Sequence, residues 1–208
     1  MIRALKIVGR AIRLWYDDLI TLMAINILWF LLQIPIVTGP IATATVYVVA
    51  QRVINKEYLE FRPMLSDMRR MILPGLTWGF VNLVVIGVTV VNFVAYQDVF
   101  GLMWGILRVA WGFILLVWLV ANIFYWPFWL VQSDRRFLTT YRNSFIFIFK
   151  NPGLSLSVFA ICILLVVVSV VMTVPLVVIL ITWLSLIGML TVEEGLRDLD
   201  SPNEIEGS

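Results

Sequence analysis

Long apolar runs alternate with short polar stretches along this chain, and the run lengths predict membrane helices. Residues 1–18 read as an amphipathic helix: Arg3, Lys6, Arg10, Arg13 and Asp17 recur three and four positions apart, with Ile2, Leu5, Ile12 and Leu19 away from that stripe. Such a helix lies in the plane of an anionic leaflet or docks on the protein itself, and the basic stripe favours the leaflet. Leu19 to Val37 is the first apolar segment. At a rise of about 1.5 Å per residue it covers roughly 28 Å, close to the ~30 Å of a hydrocarbon core. Pro35 and Pro40 bracket Thr38-Gly39 and predict a tight break. A second segment then returns over residues 40–54.

The rest of the chain repeats this hairpin pattern twice. A polar loop at 51–72 precedes a segment from Pro74 to Tyr96, where proline suits a helix start because its missing donor is not needed there. Gln97-Asp98 reads as a short loop. The segment from Gly101 to Val131 is too long for a perpendicular span, so tilt, a Pro127 kink or an interfacial tail must absorb the excess. Its aromatic cluster, Phe124 to Trp129, resembles an interfacial belt. Residues 133–150 form another basic amphipathic piece. The apolar run from Leu154 to Val192 exceeds one helix and divides at Thr173-Val174-Pro175. The expected fold is therefore all-α, a polytopic bundle of six spans with basic interfacial helices. It divides into an amphipathic helix at 1–18, a membrane domain at 19–192 and an acidic cytoplasmic tail at 193–208, disordered after Pro202.

Composition agrees: of 208 residues, 62% are hydrophobic and 13% charged. Soluble domains are nearer half apolar and about a quarter charged. The start has some signal-peptide character, with Ala42-Thr43-Ala44 resembling a cleavage site. The apolar region before it is longer than the usual ~7–15 residues, which argues against cleavage. Charge settles the orientation. All but one of the 15 basic residues fall in 1–18, 51–72, 133–150 or the tail. The positive-inside rule puts those stretches and both termini in the cytoplasm. It also makes residues 40–54 a full span despite their shortness, because a re-entrant segment would export the basic 51–72 loop.

The remaining basic residue, Arg108, lies about two turns into the fourth segment. A charge there is costly, ~2.5 kcal/mol or more near the bilayer centre and less toward the interface. Gly101, Gly105, Arg108 and Gly112 share one helical face, and Trp104 and Trp111 are placed to stack on the guanidinium. This reads either as an outward-opening site for an anionic or sugar-like ligand, or as an arginine that snorkels to the outer headgroups or pairs with a carbonyl. The other candidate polar members of an intramembrane site are Asn26, Gln33, Asn82, Asn92 and Asn122. Gly39, Ala42 and Ala44, with Gly105 and Gly112, are candidate helix contacts, because small residues let backbones approach where no hydrophobic drive exists.

Catalytic chemistry has no visible carrier. There is no histidine, a single cysteine (Cys162), no carboxylate in a predicted span and no nucleotide-binding or hydrolase motif. No enzyme activity, cofactor or metal is expected. The basic stretches match lipid phosphates better than nucleic acid, lacking interleaved aromatics beside the bilayer.

From Asn26-Ile-Leu-Trp29 through Pro35-Ile-Val-Thr38-Gly39-Pro40-Ile-Ala42-Thr-Ala44, the chain resembles the YesL-like family of bacterial membrane proteins. Family members carry an Asn-x-x-Trp span, a Pro-x-Val-Thr-x-Gly-Pro turn and a small-residue helix ending in a basic loop. The turn here is one residue tighter. The likeness covers roughly residues 15–55, and beyond it only hydropathy and the basic stretch before Asn151-Pro152 agree. It implies a multi-pass bacterial plasma-membrane protein without an assigned activity, of a kind often suggested to assist carbohydrate uptake. It brings no functional residues with it.

Two functions are compatible with these readings. One is an accessory or permease-like component of solute uptake, working with another membrane transport component. The other is a non-transporting scaffold or regulator that binds partner helices through the small-residue faces of segments two and four. A cavity joining the six polar residues would favour the first; their dispersal among helix contacts would favour the second. Reporter fusions after Val37, Ile54, Gln97, Gln132 and Ser208 check the topology. Fusions at Ile54, Gln132 and Ser208 should report the cytoplasm and those at Val37 and Gln97 the exterior; an external Lys56 loop would refute six spans.

Overall fold

The computed structural model describes residues 1–59, 61–95 and 101–200. The loop expected at Gln97-Asp98 and the tail beyond residue 200 lie outside the described residues. Among those described, every regular element is helical: α1 (Ile2–Asp17), α2 (Leu19–Leu32), a 3-10 turn (Ile36–Thr38), α3 (Gly39–Ile54), α4 (Phe61–Arg70), α5 (Ile72–Ala95), α6 (Leu102–Val131), α7 (Phe137–Lys150), α8 (Pro152–Met172), α9 (Val174–Val178) and α10 (Leu180–Asp200). Four units are long and apolar enough to cross a membrane: Ile36–Ile54, α5, α6 and α8. A fifth is added if α1 and α2, bent by 98°, count as one.

The proline turn ends the first apolar segment earlier than its hydropathy indicates. α2 stops at Leu32 rather than Val37, because Pro35 has no N–H to give and Ile36 sits at φ 26°. Leu32 loses its helical partner, and the Thr38 hydroxyl donates to its carbonyl instead. α3 then starts at Gly39 with Pro40 in its first turn, as the hairpin reading required. A Cβ on Gly39 would lie 2.5 Å from Gln33 Oε1, so a larger residue there would push that amide aside.

α3 and α10 form the centre of the molecule. α10 packs on α1, α2, α3, α6 and α8. Ala42, Ala44 and Thr45 are buried inside the chain, so the small-residue helix is used for intramolecular packing. α5 reaches α3 through two glycines one turn apart. A Cβ on Gly75 would lie 2.9 Å from Ile41 Cα, and one on Gly79 would lie against Pro40 Cγ. Close backbone approach replaces hydrophobic drive where the surroundings are equally apolar. Gly188 does the same for α10, beside the Ile123 carbonyl and the Tyr47 ring.

Three expectations change. The last apolar segment is not one uniform span: Thr173 turns the chain at φ 57°, α9 lasts five residues, and α10 continues past the expected boundary at 193 to Asp200. The aromatic cluster of α6 is not a lipid-facing belt. Phe124, Tyr125 and Trp126 are fully buried, because α7 lies across them and places Tyr141 and Phe147 with ring centres 4.6 and 5.0 Å from Tyr125 and Phe124. The faces of α1 also divide differently. Ala4, Ile7, Ala11 and Trp15 dock on the bundle, while Ile2, Leu5 and Tyr16 stay exposed on another side, beyond the basic stripe.

The basic stretches meet at one end. Arg10 approaches Glu193 of α10 at 3.7 Å. Leu14 and Asp17 share a cleft with Val53 and Lys56, Asp67 and Arg70 share another with Arg135, and Gly195 lies under the Phe147 ring. Thermal unfolding in detergent checks the packing claim. Gly75→Ala should destabilise by about 1–3 kcal/mol because backbone must move. Gly87→Ala, with no neighbour within 4 Å, should be neutral or stabilising by up to about 1 kcal/mol from helix propensity.

Candidate functional site

The break between α9 and α10 leaves backbone groups unpaired in an apolar setting, and Asn26 closes it. This side chain on α2 is fully buried. Its Nδ2 donates to the carbonyls of Leu176 and Val177, at 3.1 and 2.8 Å. Its Oδ1 accepts from the backbone N–H of Ile181 and Thr182, at 3.0 and 3.2 Å. The carboxamide therefore caps the end of one helix and the start of the next from a distance of 150 residues in sequence. Thr182 is held in turn: its hydroxyl donates to the Ile179 carbonyl and accepts from Trp15 Nε1 at 3.1 Å. Trp15 thereby ties α1 to the same break.

A second polar group joins α5, α6 and α7. Asn82 donates to the Trp78 carbonyl at 2.8 Å and to the Tyr141 hydroxyl oxygen at 3.3 Å. Its Oδ1 accepts from Trp118 Nε1 at 2.9 Å. The Tyr141 hydroxyl donates to Asn122 Oδ1 at 3.1 Å, and Asn122 Nδ2 donates to the Trp118 carbonyl at 2.8 Å. The Trp118 and Tyr141 rings stack at 4.6 Å. Burial pushes the Tyr141 hydroxyl up from its ordinary value, outweighing the hydrogen bonds around it. It keeps its proton and acts as a donor, so the cluster holds no acid or base that titrates near neutrality.

Of the six polar residues singled out in the sequence, only Asn82 and Asn122 come together. Asn26 serves the helix break. Gln33 folds back to donate to the Trp29 carbonyl, and Asn92 donates to Val88 on its own helix. Arg108 is half-buried on the N-terminal half of α6, and it and Trp104 each hold an interaction of their own. Trp111 is half-buried and makes no ring contact among the described residues. The glycine face fares unevenly: nothing lies within 4 Å of a Cβ on Gly105, and on Gly112 only Phe93, at 4.0 Å. Among the described residues, neither glycine packs tightly against a neighbouring helix. Tyr141 is the member that the sequence reading missed. Its signal was the pair of small polar residues Thr140 and Ser144, one turn apart on a helix read as basic and interfacial.

Next to Asn122 an apolar cavity of about 310 Å³ opens between α6 and α8, walled by Tyr47, Trp78, Trp126, Phe159 and Cys162. Comparison with known proteins brought no match: no family model, curated protein or solved structure matches the chain. Stability measurements separate the two polar groups. Asn26→Leu leaves two carbonyls and two N–H groups unpaired and should cost about 3 kcal/mol or more. Tyr141→Phe removes one donor and should cost about 1 kcal/mol, the scale of single interhelical hydrogen bonds in bilayers.

Proposed function

We propose that the protein is a multi-pass membrane protein that acts by binding other membrane components as a non-transporting scaffold or regulator, with solute uptake the process that the YesL-like resemblance suggests it serves. The observation that carries this reading is the dispersal of the polar side chains. Asn26, Gln33, Asn82, Asn92 and Asn122 are engaged in separate helix caps, back-bonds and one three-helix network. A conduit for a polar solute needs a continuous polar lining, and side chains already satisfied by the fold do not supply one. The carbohydrate part of the reading rests on the YesL-like resemblance of residues 15–55 alone.

In this reading α2 and the α9–α10 unit complete six crossings beside the four long spans, with the basic end in the cytoplasm. α1, bent away from α2 by 98°, lies in the leaflet surface, its exposed Ile2, Leu5 and Tyr16 toward lipid and its basic stripe among headgroups. α3 is occupied inside the chain, so the partner surface moves to the outer half of α6 around Gly105. Purified protein in sealed liposomes should pass sugars no faster than empty liposomes; saturable flux would overturn the scaffold reading. Gly105→Leu should keep the parent melting temperature yet lose most of the membrane partners that the parent retains on purification. Unchanged partners would remove that surface.

A further inference from the structure

The cavity at the basic end is built from the ends of three apolar helices and two arginines from elsewhere in the chain. It has a volume of about 360 Å³ and lies where α3 and α6 end and α5 begins. Val48, Met71 and Leu130 form its apolar wall, and Arg70 of α4 and Arg135 of the α6–α7 loop stand at its mouth. Both arginines are exposed, and among the described residues neither has an ion-pair partner. The nearby carboxylates are already occupied. Asp67, buried in the same wall, pairs with Arg52, and Asp134 pairs with Arg136 at 3.3 Å. Two unbalanced guanidinium groups therefore face a space whose other side is hydrocarbon-like.

The geometry points to a binding site for an anionic phospholipid, its phosphate between Arg70 and Arg135 and the start of an acyl chain along Val48, Met71 and Leu130. Guanidinium groups suit phosphate because their planar forks donate to two oxygens at once. Trp129, which is almost buried, extends that apolar wall. A soluble phosphate would satisfy the arginines but would leave the apolar wall wet. A zwitterionic lipid would bring an ammonium against two cations. The combination of wall and charge selects an anionic lipid from both alternatives. The site also links α4, α6 and the α6–α7 loop over the α3–α5 contact, so an occupied site would hold these elements together.

This inference rests on the membrane placement proposed above, and the test is independent of orientation and of any protein partner. Full-length protein is reconstituted in nanodiscs containing phosphatidylglycerol and phosphatidylcholine, which present the same lipids on both faces. Lipids retained after transfer to detergent are counted by native mass spectrometry. The parent should retain phosphatidylglycerol in preference to phosphatidylcholine. R70Q/R135Q should weaken that retention on the order of tenfold or more. R69Q/R142Q, which removes the same charge outside the cavity, should retain it as the parent does. Arg135→Gln alone, in an exposed loop, should give a smaller loss in the same direction with an unchanged melting temperature, which separates binding from folding. Equal retention of the two lipids, equal losses in both double variants, or displacement of phosphatidylglycerol by excess inorganic phosphate would each overturn the proposal. Lipid selectivity lost while the fusion topology stands would remove this site and leave the functional reading intact.

Discussion

A backbone amide in hydrocarbon has no water to turn to, and the central helix of this protein is interrupted where such groups are exposed. Asn26 resolves that conflict by serving two carbonyls and two N–H groups with one carboxamide. Much of the architecture depends on it. After the break α10 runs through the middle of the bundle, where α1, α2, α3, α6 and α8 all rest on it. Trp15 holds Thr182 at the same point, so the amphipathic helix is registered to the break as well as to the apolar groove that receives Ala4, Ile7 and Ala11. The residue is conspicuous in an apolar span because it is costly there, and the structure uses it for cohesion.

Close packing is the second source of cohesion. Lipid tails are as apolar as leucine, so burial contributes little to helix association, and contact area must come from close approach. α3 offers Ala42, Ala44 and Thr45, and α5 answers with Gly75 and Gly79 against Pro40 and Ile41. The aromatic rings of α6 fill the wider space toward α7, where Asn82, Trp118, Asn122 and Tyr141 satisfy one another. Together these contacts make the basic half of the molecule dense. The halves of α5, α6 and α8 away from the basic end remain largely exposed among the described residues.

That asymmetry bears on function. Charge, packing and polar networks concentrate at one end, together with the two-arginine cavity. The opposite end presents bare helices with glycine at Gly87 and Gly105. A transporter organised around a central site would place its polar groups near mid-span between two such halves.

Local chemistry alone determined the helical class, the proline hairpin at 35–40, the start of α5 near Pro74 and the clustering of basic stretches, because run length, proline geometry and charge act within a few residues. Hydropathy over-extended the first segment to Val37, since it counts apolar atoms and is blind to Pro35 withdrawing a donor and the backbone turning at Ile36. It also made one span of 175–192, because the interruption at Ile179 is stable only with Asn26 across from it, a partner 150 residues away in sequence. The same limit governs the candidate site. Six polar residues were visible in the sequence, but whether they met was a matter of helix rotation and neighbours. Asn82 and Asn122 met through Tyr141, on a helix whose basic residues disguised a buried face. The aromatic run at 124–129 has the composition of a membrane belt, and only the docking of α7 made it a core. One-dimensional pattern records what each residue prefers; which preferences are satisfied by protein and which by lipid was decided by the tertiary packing.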